Sequence, residues 1–454
     1  MIKNIRAAGR RLRLPACLLC LALASSTLPA QQEETLTLES AVRFALERNE
    51  QALATRETVA SAEAQVTRAR AYFLPAITTT GTYTRRPFEV RRTVGNTEIV
   101  VQRFNALSGI ASLNLTLFDS KSIPALNAAN AQEKSAVAAA GETRRQLAFE
   151  VSQAYLATLG TGQLLAASRQ RFEFARQSLE AAKARYSAGL ASVNDVTLAE
   201  LEYATAEFGV TQVDGQLQTS TLQLGYLINL PDTVRRPDTV RRTLVVPEFL
   251  IEAAQGEGAD AEKLVVEAQE RRLDLVSLRW QAKAQHALAV DPVLRWLPSL
   301  SLGGQYRYTN EAGLTGQSTN WNIAMSLSWS VFDGFTRNAD YKDRKAQAQL
   351  ADLNVQASLR QVDVDVREAL VTLASQRAGL KQAQVAQEAA RRNASETAEL
   401  YRQGLASALQ VADASVRLFE AEAALVSQRY GLGIAFLNLE ASLGLDPFGK
   451  EPIR

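Results

Sequence analysis

The chain of 454 residues is written twice, and any fold assigned to it must accommodate that. Tyr186-Ser187-Ala188-Gly189-Leu190-Ala191-Ser192 returns as Tyr401-Arg402-Gln403-Gly404-Leu405-Ala406-Ser407, a shift of 215. Leu117-Phe118-Asp119 returns as Val331-Phe332-Asp333 at a shift of 214. Leu74-Pro75 returns as Leu297-Pro298, and Glu47-Arg48 as Glu270-Arg271, both at 223. Landmarks that recur in one order at near-constant shifts mark an internal duplication. The shift falls by nine between the Leu-Pro and Phe-Asp landmarks, so the first copy is longer in that interval, and an external loop is expected there.

Each copy has the same order of elements. A helix rich in Ala, Leu, Glu, Gln and Arg is expected around 38–72 and again around 261–294. A Leu-Pro pair breaks each, because the proline ring cannot follow a helical residue without a clash. Two strands follow, about 73–118 in the first copy and 298–332 in the second. Apolar Leu113, Leu115 and Leu117 alternate with Ser112, Asn114 and Thr116. Leu300, Leu302, Tyr306 and Tyr308 alternate with Ser299, Ser301, Gln305 and Arg307. Ile323, Met325, Leu327, Trp329 and Val331 alternate with small polar residues in 322–331. Period-two patterning fits any half-buried strand, including those of a soluble sandwich. Two features favour a membrane instead: the alternate face is small and polar, as a wet lumen permits, and aromatics gather near strand ends like an interfacial girdle. Four strands per chain cannot close a barrel, and open edges are not tolerated in lipid. If these strands span a bilayer, several chains must share one barrel.

After Asp119-Ser120 and Asp333-Gly334 come very long helices, each aspartate being placed to accept from the first free amides. The stretch 120–187 has one proline, Pro124, in the first turn where it is tolerated, and at 1.5 Å per residue it reaches roughly 100 Å. Leu165, Phe172, Leu179 and Tyr186 recur every seven residues, with Ser168, Ala175, Ala182 and Gly189 offset by three. Large and small rows of this kind describe a close-packed coiled coil. The second copy keeps Leu380, Ala394 and Tyr401 in that register but adds Gln387, a looser seam. At the turns, Gly189-Leu190 and Gly404-Leu405, the glycine supplies the left-handed conformation that ends a helix, and the leucine is expected to pack back on the last turn.

Residues 1–30 read as a secretory signal peptide: a basic start at Lys3, Arg6, Arg10, Arg11 and Arg13, an apolar stretch from Leu14 to Ala24, and a cleavage site after Ala30. Cys17 precedes most of the apolar stretch, which argues against lipidation. With the leader's five bases removed from 50, the rest carries 45 bases against 48 acids, so the balance gives no reason to expect nucleic acid. Cys17 and Cys20 both fall in the leader, and His286 is the sole histidine. A thiol nucleophile, a cysteine metal site and a histidine-based triad are thereby excluded on inventory. The carboxylates lie on amphipathic helices with bases three and four residues away, the pattern of a solvated face. No catalytic residue, cofactor or metal site is expected, and the chain reads as no enzyme.

Leu36-Thr37-Leu38-Glu39-Ser40-Ala41, the two Leu-Pro junctions, the two Phe-Asp junctions and the paired Tyr-x-x-Gly-Leu turns together resemble the TolC-type outer membrane efflux family. The resemblance covers essentially the whole chain after the leader. It implies a mainly α fold with a β-barrel part: long helical hairpins in the periplasm, and four membrane strands per chain sharing a twelve-stranded barrel in a homotrimer. It divides the chain into a first repeat at 31–228 with its tip at 186–192, an equatorial side segment at 229–262, a second repeat at 263–443 with its tip at 401–407, and a tail at 444–454. The implied role is a passive exit duct of a tripartite efflux or type I secretion system in the outer membrane, joined through a periplasmic adaptor to an inner-membrane pump or ABC transporter. The barrel face toward lipid would be Leu113, Leu115, Leu117, Leu300, Leu302, Ile323, Met325, Leu327 and Trp329. Gly189, Leu190, Gly404 and Leu405 would meet the adaptor.

Asn194, Asp195, Tyr401 and Asp413 match positions of the family's periplasmic gate, whereas Ala406 stands at its arginine position and Gln410 at one of two acidic ones. Asp195 and Asp413 also have a plainer reading as solvated residues opening the returning helices. The directly repeated Pro231–Arg236 and Pro237–Arg242 read as a recent duplication in a surface loop, with a phosphate-binding patch as the sharper alternative. The main rival for the whole chain is a periplasmic coiled-coil adaptor or scaffold that never enters a membrane. It would explain the helices and turns but not the two β-hairpins.

Overall fold

Both Leu-Pro pairs separate helix from strand as expected. The computed structural model describes residues 36–95, 97–229, 244–256, 260–311 and 317–451. The expected signal peptide, the cysteines and the Pro231–Arg242 repeat lie outside these residues. The first copy runs α1 (Leu38–Arg48), α2 (Glu50–Ala71), β1 (Ala76–Arg85), β2 (Val90–Val94), β3 (Thr97–Gln102), β4 (Asn105–Phe118), α3 (Ser122–Ser187) and α4 (Val193–Ile228). A short α5 (Glu248–Ala253) leads into the second copy. That copy runs α6 (Ala261–Arg271), α7 (Leu273–Ala289), α8 (Asp291–Leu294), β5 (Ser299–Thr309), β6 (Thr319–Ser328), α9 (Thr336–Arg402) and α10 (Ala408–Ser442).

Each single helix expected before the strands is broken. Asn49 leaves the helical region at ψ 135° and caps α2 through its side chain, which accepts from the Gln51 amide. Arg272 also leaves the helical region, at ψ 120° and 223 residues on, though without a side-chain cap. The break therefore belongs to the duplicated unit. The interval in which the first copy is longer by nine is not a plain loop but holds the β2–β3 hairpin, a separate two-stranded sheet.

The four remaining strands form one antiparallel sheet in the order β1-β4-β5-β6. Each copy contributes a hairpin, and β4 joins β5 at the centre, leaving β1 and β6 as edges. The long helices α3 and α9 hold 66 and 67 residues, roughly 100 Å each. Beside the sheet, α3 packs between α2 and α7; farther on it packs between α4 and α10, while α9 packs on α7 and α10. Asp333 caps its helix as expected, accepting from the Arg337 amide at 3.0 Å, whereas Asp119 accepts at 3.3 Å from Lys121, ahead of the first turn.

The core lies midway along the helices, where shorter ones converge. One cluster joins Leu38, Val151, Leu156, Leu224 and Leu437; a second joins Leu275, Val362, Val366 and Leu432. Tyr155, fully buried, lies 2.7 Å from the carbonyls of Leu36 and Val245 and accepts from the Val245 amide at 2.9 Å. Burial pushes its hydroxyl up to about 12, so it stays protonated and pins the start of the first copy to the segment after α4. The buried Arg145–Glu142 pair spends its remaining donor on the carbonyls of Ala441 and Leu445, at the end of α10.

Of the heptad rows in α3, the small one stays buried farther toward the tip: Ser168, Ala175 and Ala182 are buried, whereas the large row goes from a buried Leu165 to a half-exposed Tyr186. Small side chains let the neighbouring helices approach closely, so the seam closes on them.

Candidate functional site

Two regions of this frame carry functional expectations: the paired tips and the sheet. At the tips, Gly189 and Gly404 have φ of +73° and +79°, the left-handed geometry that glycine adopts without a Cβ penalty. The amides of Leu190 and Leu405 return to the carbonyls of Arg185 and Leu400, each at 2.9 Å, closing the same C-terminal motif twice. The leucines do not pack back on the last turn. Leu190 is 77% and Leu405 73% exposed. The backbone bonds alone end each helix, and the side chains remain in solvent.

The returning helices start with capping boxes that the sequence reading passed over. Ser192 accepts from the Asp195 amide while Asp195 accepts from the Ser192 amide at 3.0 Å. Ser407 and Gln410 repeat the arrangement, with the Ser407 amide donating to Gln410 Oε1 at 2.8 Å. Both pairs have the S-x-x-[D/E/Q] spacing of a capping box. Asp195 is thus committed to its own helix start, and Gln410, read from the sequence as a missing acid, has a structural task. Asn194 is exposed beside it. Asp413 is exposed and pairs with Arg417 at 2.8 Å, which offsets much of its charge.

Tyr401 is held by a residue absent from the sequence-based set. The Arg185 guanidinium lies 4.4 Å from the Tyr401 ring centroid and donates to the carbonyls of Tyr401 and Arg402 at 2.9 and 3.1 Å. Arg185 therefore ties one tip to the other within a single chain, 216 residues apart. The signal for it was a break in repeat symmetry, since the second copy has Leu400 at that place. Behind Tyr401 is a small apolar cavity lined by Ala175, Ala182, Leu198, Val411 and Ser415.

In the sheet, the register divides the side chains into two faces. Ile77, Leu113, Gly304 and Ile323 lie in one row, with Leu115, Leu302 and Met325 in the next. Tyr306 and Trp321 follow on the same face, toward the end away from the helices. This apolar face is exposed along β6, with Ile323 and Met325 each at 69%. Two sequence expectations are corrected. A register shift between Thr116 and Phe118 sets Phe118, not Leu117, opposite Leu300 in the row with Leu327. Strand β6 ends at Ser328, so Trp329 lies beyond it, its indole N–H donating to the Trp296 carbonyl at 3.1 Å. Both changes occur where the strands hand over to helices and pairing ends.

His286 Nε2 is 3.0 Å from the Asp352 carboxylate on an exposed face between α7 and α9. Among the described residues no group of His, Cys, Asp and Glu is arranged to hold a metal, and no helix is long and apolar enough to cross a membrane.

With that geometry in hand, the comparisons with known proteins are consistent with one another. The family described as outer membrane efflux protein matches residues 41–230 and 264–445, one stretch for each copy. The chain is 23% identical over 389 residues to outer membrane protein TolC of Vibrio cholerae, covering 84% of each. It is 25% identical over 418 residues to outer membrane protein OprJ of Pseudomonas aeruginosa, covering 90% of this chain and 84% of that one. The crystal structure of the Campylobacter jejuni CmeC outer membrane channel has the same fold, with a TM-score of 0.76 at 15% identity, over 98% of this chain and 96% of that one.

Proposed function

Because the chain belongs to the outer membrane efflux protein family, an outer-membrane channel that extends into the periplasm, we propose that three copies share one barrel and form a passive exit duct. The observation that carries the proposal is the sheet: four strands, two unpaired edges in β1 and β6, and an apolar face left in solvent. An open edge with an apolar face is stable in lipid only when a neighbouring chain pairs with it. Three copies would give twelve strands, within the range known for membrane barrels. The flank of α9 supports the same reading, since Leu350, Leu353, Val371 and Val385 are exposed along it. The rival reading, a periplasmic adaptor or scaffold, lacks support once the family is known.

In the assembled duct Ile77, Leu113, Leu115, Leu300, Leu302, Ile323, Met325 and Leu327 face lipid, and the helical hairpins form the periplasmic tunnel. The tips, with Leu190 and Leu405 presented in solvent, dock a periplasmic adaptor that joins the duct to an inner-membrane transporter. Asn194, Asp195, Tyr401 and Asp413 line its narrow end, where Arg185 takes over the tie that Ala406 cannot make. Transport is driven by the partner, and the duct itself catalyses nothing. Native mass spectrometry of the detergent-extracted protein, with heat-modifiable mobility on a gel, tests the assembly. The expected result is a trimer that dissociates on boiling; monomers from the outer-membrane fraction would sink the shared barrel.

A further inference from the structure

The side of the sheet opposite the apolar rows is polar, and its composition is unusually uniform. Because residues directly opposed in an antiparallel pair share a face, the register places there only Ser, Thr, Asn, Gln, Gly, Ala and Ile110, together with Arg307. Arg307 is opposed by Ile110 on β4 and Asn320 on β6, and Ile110 in turn by Thr80 on β1. Its side chain is exposed, and it takes part in no ion pair or side-chain hydrogen bond among the described residues. The nearest acid in sequence outside the strand, Glu311, is engaged by the Arg86 guanidinium and by the Arg103 amide.

We infer that Arg307 is the charge-selecting residue of the outer half of the conduit, forming a ring of three guanidinium groups in the lumen that favours anionic solutes. The inference rests on the shared trimeric barrel proposed above. Its place follows from the chain direction. Strand β5 leaves the helices at Ser299 and ends at Thr309, so residue 307 lies near the end remote from the periplasm. An unpaired cation on a wall of neutral dipoles sets the sign of the local potential, and a low-dielectric barrel around it focuses that field. In sequence the segments at this end add Arg85, Arg86, Arg91, Arg92 and Arg103 against Glu89, Glu98 and Glu311, an excess of bases. At the periplasmic end Asp413 is paired with Arg417.

Reversal potentials in planar bilayers test this, using purified wild-type, Arg307→Gln and Arg307→Glu trimers in a KCl gradient. The expected result is a fall in the chloride-to-potassium permeability ratio for Arg307→Gln. A further fall is expected for Arg307→Glu, about threefold or more in low salt, shrinking toward wild type in 1 M salt, where the Debye length is about 3 Å. A second arm uses Arg307→Cys, whose thiol is joined in the sequence only by Cys17 and Cys20 of the expected leader. An anionic, membrane-impermeant thiol reagent should modify it in intact trimers. Conducting trimers with unchanged reversal potential, or an unreactive thiol in intact trimers, would overturn the inference. If the wild type proved monomeric, the shared barrel would fail instead, so the two failures are distinguishable.

Discussion

Glu440 shows how a single side chain can store a pH response far from the channel's ends. It sits in the last turn of α10, 8% exposed, and one of its carboxyl oxygens has no hydrogen-bond partner. Burial pushes its pKa up to about 7, the charge of Asp446 adds to the rise, and the Gly449 amide partly offsets it. A carboxyl whose pKa is raised in the folded state destabilises the fold as it ionises. The cost is absent below the ordinary value near 4.5, grows as pH rises, and is complete above about 7. Glu440→Gln, which mimics the neutral form, should therefore raise the Tm at pH 8 by the equivalent of about 2–3 kcal/mol and leave it unchanged near pH 4.5. Thermal unfolding at the two pH values checks this, and an equal gain at both would refute the electrostatic origin. Residues of this kind are hidden in a sequence. Nothing in Asn438-Leu439-Glu440-Ala441 marks one glutamate as buried, just as nothing local to Arg185 reveals that it binds Tyr401.

The elements tell the opposite story, because periodicity survives in one dimension. The four sheet strands, the long helices and both tip turns were legible from alternation, heptads and glycines, and the repeat shift aligned them. The missed features are local breaks whose reasons are tertiary. The β2–β3 hairpin is Arg-rich and lacks a clean apolar face, and Arg272, an ordinary helix former, leaves its helix because Asp274 and Asp365 claim its guanidinium at 2.6 and 2.7 Å. The bulge at Leu117 was invisible since alternation continues through it on paper. Opposite substitutions within β5 test the two faces. Leu302→Arg puts a guanidinium on the apolar face, where a mid-bilayer arginine costs about 2–4 kcal/mol, in each of three chains. Gln305→Arg adds the same group to the polar face. The first should abolish heat-modifiable trimers in the outer-membrane fraction, and the second should leave their yield unchanged. Equal loss in both would mean that the faces have been assigned the wrong way round.

At the scale of the whole molecule, the duplication makes one chain offer two similar ends to any partner. The two tips share a glycine in the same conformation, an exposed leucine and a capped returning helix, but Arg185 binds across from one tip to the other. Six near-equivalent tips per trimer would therefore be presented in three tied pairs. The leucines at these tips have almost no packing to lose, because both lie three-quarters in solvent and their helix ends are closed by backbone bonds. Surface changes of that type leave stability within about 0.5 kcal/mol. The double variant Leu190→Asp, Leu405→Asp should accordingly keep the wild-type Tm, trimer yield and bilayer conductance. It should lose efflux in cells, with resistance or export falling to the level of a deletion strain, because aspartate would have to be desolvated wherever leucine is buried by an adaptor. A variant that still supports full efflux would show that the tips are not the docking surface. A variant that loses its trimers would show instead that the leucines serve the channel's own assembly. The separation of function from stability is the decisive reading, and it follows from the exposure of two side chains that a helix-ending motif ordinarily covers.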